Sequence, residues 1–362
     1  MTAILSANEF AHHLDIRYPI IQAPMAGVST PALAAAVSNA GGLGSLGIGA
    51  STTTQAHTMI TQTQALTPHP FNVNVFCHAP AKRDAESESQ WLAYLAPLFA
   101  AEGASPPSTL NEIYTSFLDD PQTQKMLLDT RPAVVSFHFG IPGHAYIAAL
   151  KEKGIFTIAT ATSPTEAQQI ANAGIDAIVA QGIEAGGHRG VFSPNATNTQ
   201  DQGYSTMVLV QLLRQATPLP IIAAGGIMNG YGMRAALSLG AVAVQMGTAF
   251  VSCDESAANM AYRANLASAS AYKTTMTRAL SGRPARGLHN ALITHGAARN
   301  APAPAAYPVA YDAAKQLHAA AAKHDNHSYA AHWAGQGAPL VRPMPAGQLV
   351  EQIMAEYAQP YI

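Results

Sequence analysis

One histidine and one arginine stand among glycines in Gly186-Gly187-His188-Arg189-Gly190, just past the apolar run 177–180 and the pair Gln181-Gly182. An imidazole there could accept a proton, donate a hydrogen bond, or be an ordinary loop side chain. A second group is Tyr307, Tyr311 and Lys315, which recur every four residues. On an α-helix that spacing puts two phenols and an ammonium on one face. Such a stripe could point into a polar pocket, or belong to a half-buried helix whose polar tips reach water. A third group is uncharged: the amides of Gln22, Asn74, Gln181 and Gln245 close separate apolar runs. Amides both donate and accept without a charge to desolvate, so they suit a planar heteroaromatic, or simply hydrogen bonds at the ends of a sheet. Finally, Gly225-Gly226 and Gly247-Thr248 follow two further apolar runs. Backbone N–H groups and a helix dipole at such turns favour an anion such as phosphate, although glycines also serve tight turns alone. Paired carboxylates and clustered metal-ligand spacings are missing, which argues against glycosidase and zinc hydrolase chemistry.

These groups need a scaffold. Apolar runs at 18–24, 42–49, 71–76, 133–140, 156–162, 176–182, 219–226 and 241–250 alternate with helical patterns at 30–42, 52–66, 143–154, 163–174, 205–216 and 229–240. The runs are continuous rather than strictly alternating, as expected of parallel strands covered on both faces. Eight such units predict a (β/α)8 TIM barrel; a doubly wound open sheet is the alternative. "GGLGSLGIG" follows a helix, the wrong place for a dinucleotide-binding turn. Local punctuation agrees with the barrel: Thr30 and Ser163 stand as N-caps, Pro31 and Pro164 as first helical residues, and Gly174 as a stop. Residues 80–130 break the rhythm and predict a helical insertion after the third strand, with helices in "WLAYLAPLFAAEG", "LNEIYTSFLDD" and "TQKMLLDT". The expected division is 1–79 with 131–253 as barrel, 80–130 as insertion, and 254–362 as a helical C-terminal extension that contributes to the site. That extension holds a connector at 298–308, a helix at 306–324 and a last helix from about Pro345.

In such a barrel, function gathers at the C-terminal ends of the strands. His138, on the fourth run, could reach the site or be a satisfied strand-end histidine. The 362 residues carry few charges and a formal net charge of −2, with no basic run to bind nucleic acid. Two cysteines, Cys77 and Cys253, allow no disulfide framework and are expected as buried thiols. No signal peptide and no membrane span is legible, so a cytoplasmic protein is expected. Arg278, Arg283, Arg286 and Arg299 are expected at the surface, as are His57, His318, His324 and His327.

The motifs also resemble a known family. "IIQAPMAGVSTPALAAAVSNAGGLGSLG" looks like the opening of the FMN-dependent nitronate monooxygenases, formerly called 2-nitropropane dioxygenases, and most like their class I branch. "FNVNVF", "VVSFHFGIP", "QGIEAGGHRG", "AAGGI", "QMGTAF" and "PVAYDAAKQL" follow in that family's order. The resemblance implies FMN as cofactor, bound by Ala23, Pro24, Met25, Asn74, Gln181, Gly186, Gly187, Gly225, Gly226, Gln245, Met246, Gly247 and Thr248. It implies His188 as the catalytic residue, with Tyr114, Tyr307, Tyr311 and Lys315 lining the substrate side beside His138. The implied reaction is oxidation of alkyl nitronates, of the propionate 3-nitronate type, with O2 to a carbonyl compound and nitrite or nitrate. An electrostatic role for His188 is expected for a substrate that arrives as an anion; a general-base role serves a neutral nitroalkane. "QAPM" and "AGGI" also occur in flavin-dependent enoyl-thioester and quinone reductases, so an NAD(P)H-dependent flavin reductase is the alternative. A flavin-binding protein without turnover is a third reading, and a homodimer stays open.

Overall fold

The computed structural model describes residues 5–193 and 201–359. Its centre is eight parallel strands: β1 (Ile20–Gln22), β2 (Gly44–Gly47), β3 (Phe71–Phe76), β4 (Val134–His138), β5 (Phe156–Ala161), β6 (Ala177–Gln181), β7 (Ile221–Ala224) and β8 (Ala243–Met246). Hydrogen bonds order them β1-β8-β7-β6-β5-β4-β3-β2. The two ends of that order meet at a parallel bridge between Ile21 and Leu43. There Gln22 N–H donates to Leu43 O at 3.0 Å and Leu43 N–H to Ile20 O at 2.8 Å. The expected (β/α)8 barrel is the fold. Every residue of β1, β2, β6 and β7 is buried, because helices cover the outside and side chains fill the inside. That double burial is why these strands read as unbroken apolar runs.

The helix starts follow the caps. Thr30 Oγ1 accepts from Leu33 N at 2.9 Å and Ser163 Oγ from Glu166 N at 3.3 Å. Pro31 and Pro164 open the two helices, and Gly174, with φ of 84°, ends the second turnaround. Each such cap is worth roughly 1 kcal/mol.

Between β3 and β4 the chain departs from the barrel and returns. Helix Ala85–Ala101 buries Trp91, Leu95 and Phe99 against Leu292, Ala313 and Leu317 of the C-terminal region, forming a second apolar core. The excursion therefore packs on the extension. Helix Pro121–Thr130 belongs to the barrel's outer ring: Thr123 Oγ1 lies 2.9 Å from Thr53 Oγ1, and Gln64 Nε2 donates to Thr130 O at 3.1 Å. The helix expected in "LNEIYTSFLDD" is only a single turn, Phe117–Asp119. Asn111 N–H instead donates to Asp312 Oδ2 at 2.8 Å, tying extended chain to the helix Val309–Ala322.

The C-terminal region is not purely helical. Thr274–Thr277 and Ala285–Leu288 form an antiparallel pair, and the second pairs with Gly187–His188 in the register Ala285–His188 and Arg286–Gly187. This small sheet clamps the loop after β6. Among the described residues, no helix is long and apolar enough to cross a membrane.

Candidate active site

A cavity of about 1010 Å³ opens where the barrel strands end. Pockets for drug-sized ligands run to roughly 1,000 Å³, so this one has room for a cofactor and a small substrate. Its lining takes in the strand-end residues Ala23, Pro24, Met25, Asn74, Gln181, Gly186, Gly187, Gly225, Gly226, Gln245, Met246, Gly247 and Thr248. It also takes in Tyr114, His138, His188, Tyr307, Tyr311 and Lys315. These candidates thus face one space, whereas the fourth strand-end amide, Gln22, does not: it is fully buried, donates to Ser29 Oγ at 3.0 Å and accepts from Ser45 N at 2.8 Å. Among the described residues no Asp or Glu lines the cavity, and Lys315 is the one Lys or Arg that does.

The loop carrying His188 is held from below. The Gln181 amide donates to His188 O at 2.9 Å and accepts from Gly190 N at 2.8 Å. Its hydrogen-bonding capacity is thus largely spent on positioning the loop. His138 Nε2 lies 3.1 Å from the same His188 carbonyl. A carbonyl only accepts, so Nε2 carries the His138 proton, and Nδ1 accepts from the Thr160 hydroxyl at 3.1 Å. Arg189, 1% exposed, grips both carboxylate oxygens of Asp201 at 2.7 and 2.9 Å and donates to Gln181 O. This arginine therefore braces the end of β6.

His188 Nε2 is 2.8 Å from Ser281 Oγ. Burial, and then the neighbouring His138, Arg283 and His78, depress the His188 pKa to about 3. The imidazole is neutral at ordinary pH, so what it offers an anion is an N–H donor and not a charge. Burial likewise holds His138 at about 4. The cavity's positive charge belongs to Lys315.

Around His188 stands an aromatic wall. Tyr311 and Lys315 lie one turn apart on the helix Val309–Ala322, but Tyr307 precedes that helix, at a cis Tyr307–Pro308 peptide. The expected three-residue helical stripe is thus two residues plus a neighbour delivered by the turn. Tyr114 arrives from the excursion after β3, its ring 5.9 Å from that of Tyr311. Lys315 Nζ lies 4.9 Å from the Tyr114 ring centre and 5.3 Å from that of Tyr311. Burial pushes Tyr114 up to about 12 and raises Tyr307 and Tyr311 as well, so all three phenols remain protonated donors. Burial lowers the Lys315 pKa, against the opposing pull of Asp312.

Several site residues were not legible in the sequence. Trp333 lies 5.0 Å from His188 ring to ring and donates from Nε1 to Tyr311 Oη at 3.2 Å. His332 and His318 line the cavity too, the latter contrary to its expected surface position. Arg283 and Arg286, also expected at the surface, are 4% and 7% exposed. Pairing of Ala285–Leu288 with the loop after β6 draws both inward, and Arg286 Nε donates to Ile183 O at 3.0 Å. The dense glycines and arginines of "SGRPARG" were the available signal.

The far end of the cavity is glycine-rich. Gly225 and Gly226 both have positive φ, 124° and 70°. A Cβ at Gly225 would lie 2.7 Å from Thr206 Oγ1. Glu184 occupies the start of helix Thr206–Ala216, accepting from Thr206 N at 2.9 Å, so that helix end is already capped. Glycine-rich turns also follow β7 and β8, where the Gly225 carbonyl accepts from the Thr206 hydroxyl at 2.9 Å and the Thr248 hydroxyl from Gly335 N at 3.0 Å. Gly186 packs against Gly335 so tightly that a Cβ would meet Gly335 N at 2.5 Å. That contact seats the segment carrying Trp333 over the loop.

A family model described as nitronate monooxygenase matches residues 8–356. The chain belongs to the nitronate monooxygenase family. It is 56% identical over 346 residues to a nitronate monooxygenase of Paraburkholderia phytofirmans, covering 96% of this chain and 94% of that one. It is 53% identical over 349 residues to a nitronate monooxygenase of Pseudomonas aeruginosa, covering 96% and 99%. Among solved structures, a nitroalkane oxidase from Streptomyces ansochromogenes is similar with a TM-score of 0.89 at 39% identity, covering 96% of this chain and 98% of that one. FabK from Thermotoga maritima is similar with a TM-score of 0.73 at 30% identity, covering 98% and 96%. Membership in the nitronate monooxygenase family makes the protein an oxidoreductase.

Proposed function

We propose that this chain oxidises alkyl nitronates, of the propionate 3-nitronate type, with O2 and bound FMN, yielding a carbonyl compound and nitrite or nitrate. The observation that carries this reading is the charge pattern of the cavity among the described residues: no lining carboxylate, one ammonium, and three neutral phenols around a neutral imidazole. A nitronate bears its negative charge on the nitro oxygens, and such a wall offers them donors without a repelling anion.

The residues fit a flavin mononucleotide. Gly225, Gly226, Gly247 and Thr248 would hold the phosphate, because backbone N–H groups at these turns suit an anion and, among the described residues, no carboxylate lines the space. The Gln245 amide, which makes no hydrogen bond within the described residues, and the Asn74 side chain would meet the polar edge of the ring system. Pro24 and Met25 would pack on its apolar part. Bound there, FMN supplies the electron acceptor that no side chain of this protein can provide.

The remaining work falls to the chain. Lys315 and the phenols of Tyr114, Tyr307 and Tyr311 bind and orient the anion. His188, fixed by Ser281, Gln181 and His138, forms the neutral polar edge of the substrate space. Trp333 and the segment around it keep bulk water from that space.

The test is anaerobic mixing of the purified holoprotein with an alkyl nitronate and, separately, with NADH or NADPH, following visible absorbance. Absorbance loss with the nitronate, and oxygen consumption once air is admitted, are expected. Rapid bleaching by the nicotinamide nucleotide alone would favour a flavin reductase. Bound flavin without oxygen uptake on any nitronate would leave only a binding protein.

A further inference from the structure

Behind the wall of the cavity lies a guanidinium that the proposed chemistry does not yet use. Arg283 is 4% exposed, and among the described residues it makes no ion pair. One of its N–H groups donates to Val191 O, while Nε is buried without a partner. Buried charges are ordinarily paired, because an uncompensated one loses its hydration. Glu166 is the acid whose charge acts on Arg283, but its two oxygens are taken up by Thr162 and by Phe192 N–H.

The surroundings aim this charge at the site. The guanidinium carbon sits 4.1 Å from the Phe139 ring centre and 5.9 Å from that of Tyr307. The His188 ring contacts the same two rings, at 5.8 Å from Phe139 and 5.4 Å from Tyr307. Phe139 takes a φ of 72°, unusual for a phenylalanine, directly after β4. A conformation of that kind persists only where the surroundings over-determine it. The ring that Phe139 presents to the guanidinium stabilises the cation without neutralising its charge, while Tyr307, the second ring beside Arg283, lines the cavity.

We propose that Arg283 is a positioning residue for substrate charge: its unpaired guanidinium, seated behind Phe139 and Tyr307, selects the anionic nitronate over its neutral nitroalkane. The proposal rests on the nitronate reading above and deepens it. Lys315 touches the anion from the cavity side; Arg283 adds a field from behind and needs no contact. Arg278 and the neutral His78, His138 and His188 add no negative charge around it; the one acid whose charge acts on Arg283 is Glu166, which offsets part of the field without forming an ion pair with it among the described residues. A unit charge about 10 Å away at an effective dielectric of about 20 changes an anion's binding constant by roughly tenfold.

The probes are nitrate, a planar inorganic anion shaped like the nitronate head group, and neutral nitroethane. Their dissociation constants for the holoenzyme are measured by calorimetry in wild type, Arg283→Gln and Arg283→Lys. The glutamine variant is expected to lose about tenfold in nitrate affinity with nitroethane within twofold, and the lysine variant to keep nitrate within threefold. An equal loss for both probes, or a lysine variant as weak as the glutamine one, would overturn the assignment and leave Arg283 structural. Should Arg283→Gln not fold, Arg283→Met, which keeps an apolar stem against Phe139, carries the same comparison. Nitrate binding needs no turnover. An Arg283-dependent anion preference in a protein that fails to oxidise nitronates would overturn the reaction and not the charge selection.

Discussion

Gly282 and Gly174 provide a matched pair of perturbations. Both hold φ of 84°, in the left-handed region that a side chain seldom adopts. At Gly174 a Cβ would meet nothing within 4 Å. At Gly282 it would run into the Ala305 carbonyl oxygen and lie 2.8 Å from Tyr307 N. Gly174→Ala should therefore cost only the backbone term, about 1 kcal/mol. Gly282→Ala carries that term plus a collision with main chain, which cannot rotate aside. Overpacking of this kind adds about 1–3 kcal/mol, for a total near 3 kcal/mol. The strain also has a direction, since Ser281 on one side and Tyr307 on the other both meet His188. A displacement of about 1 Å there is enough for a hundredfold loss of kcat/KM. Urea unfolding followed by tryptophan fluorescence measures the stabilities, and oxygen uptake on a nitronate measures the activities. Gly174→Ala should keep full activity. If the two variants lose stability within about 0.5 kcal/mol of each other, the collision carries no weight and the reasoning fails.

Lys315→Met removes the one ammonium in the cavity lining among the described residues, so KM for an anionic nitronate should rise about tenfold with kcat within a few-fold, read from initial oxygen-uptake rates. Equal effects on kcat and KM would place the ammonium in the chemical step instead. Acid should destabilise the fold: burial holds His78, His138, His188 and His332 at about 4, 4, 3 and 4, against an unfolded value near 6.5. As pH falls below about 6.5 the unfolded chain takes up protons that the folded chain refuses. Stability is therefore greatest above that pH and declines toward pH 4. Urea midpoints at pH 7.0, 5.5 and 4.5 should descend in that order, and a flat series would refute the neutral-histidine account.

The barrel was legible because its signals are local. Strands buried on both faces leave continuous apolar runs, and Thr30, Ser163 and Gly174 mark helix ends through contacts with residues three or four away. The strand-end amides and glycines were legible for the same reason, since a barrel maps sequence order onto one rim. The charge state of His188 and the fate of the arginines were not. The segments 274–277 and 285–288 are too short and mixed for a clear period, and the partner of the second lies about a hundred residues earlier. Only that pairing turns "SGRPARG" inward, setting Ser281 on His188 and Arg283 behind it. Tyr114 and Trp333 reach one wall from distant parts of the chain because the excursion after β3 and the helix Val309–Ala322 share an apolar core. By itself the sequence determined the barrel and the residues on its rim. The tertiary structure decided which groups are neutral, which charge stands unpaired, and what touches His188, because desolvation and long-range pairing depend on neighbours that sequence distance does not reveal.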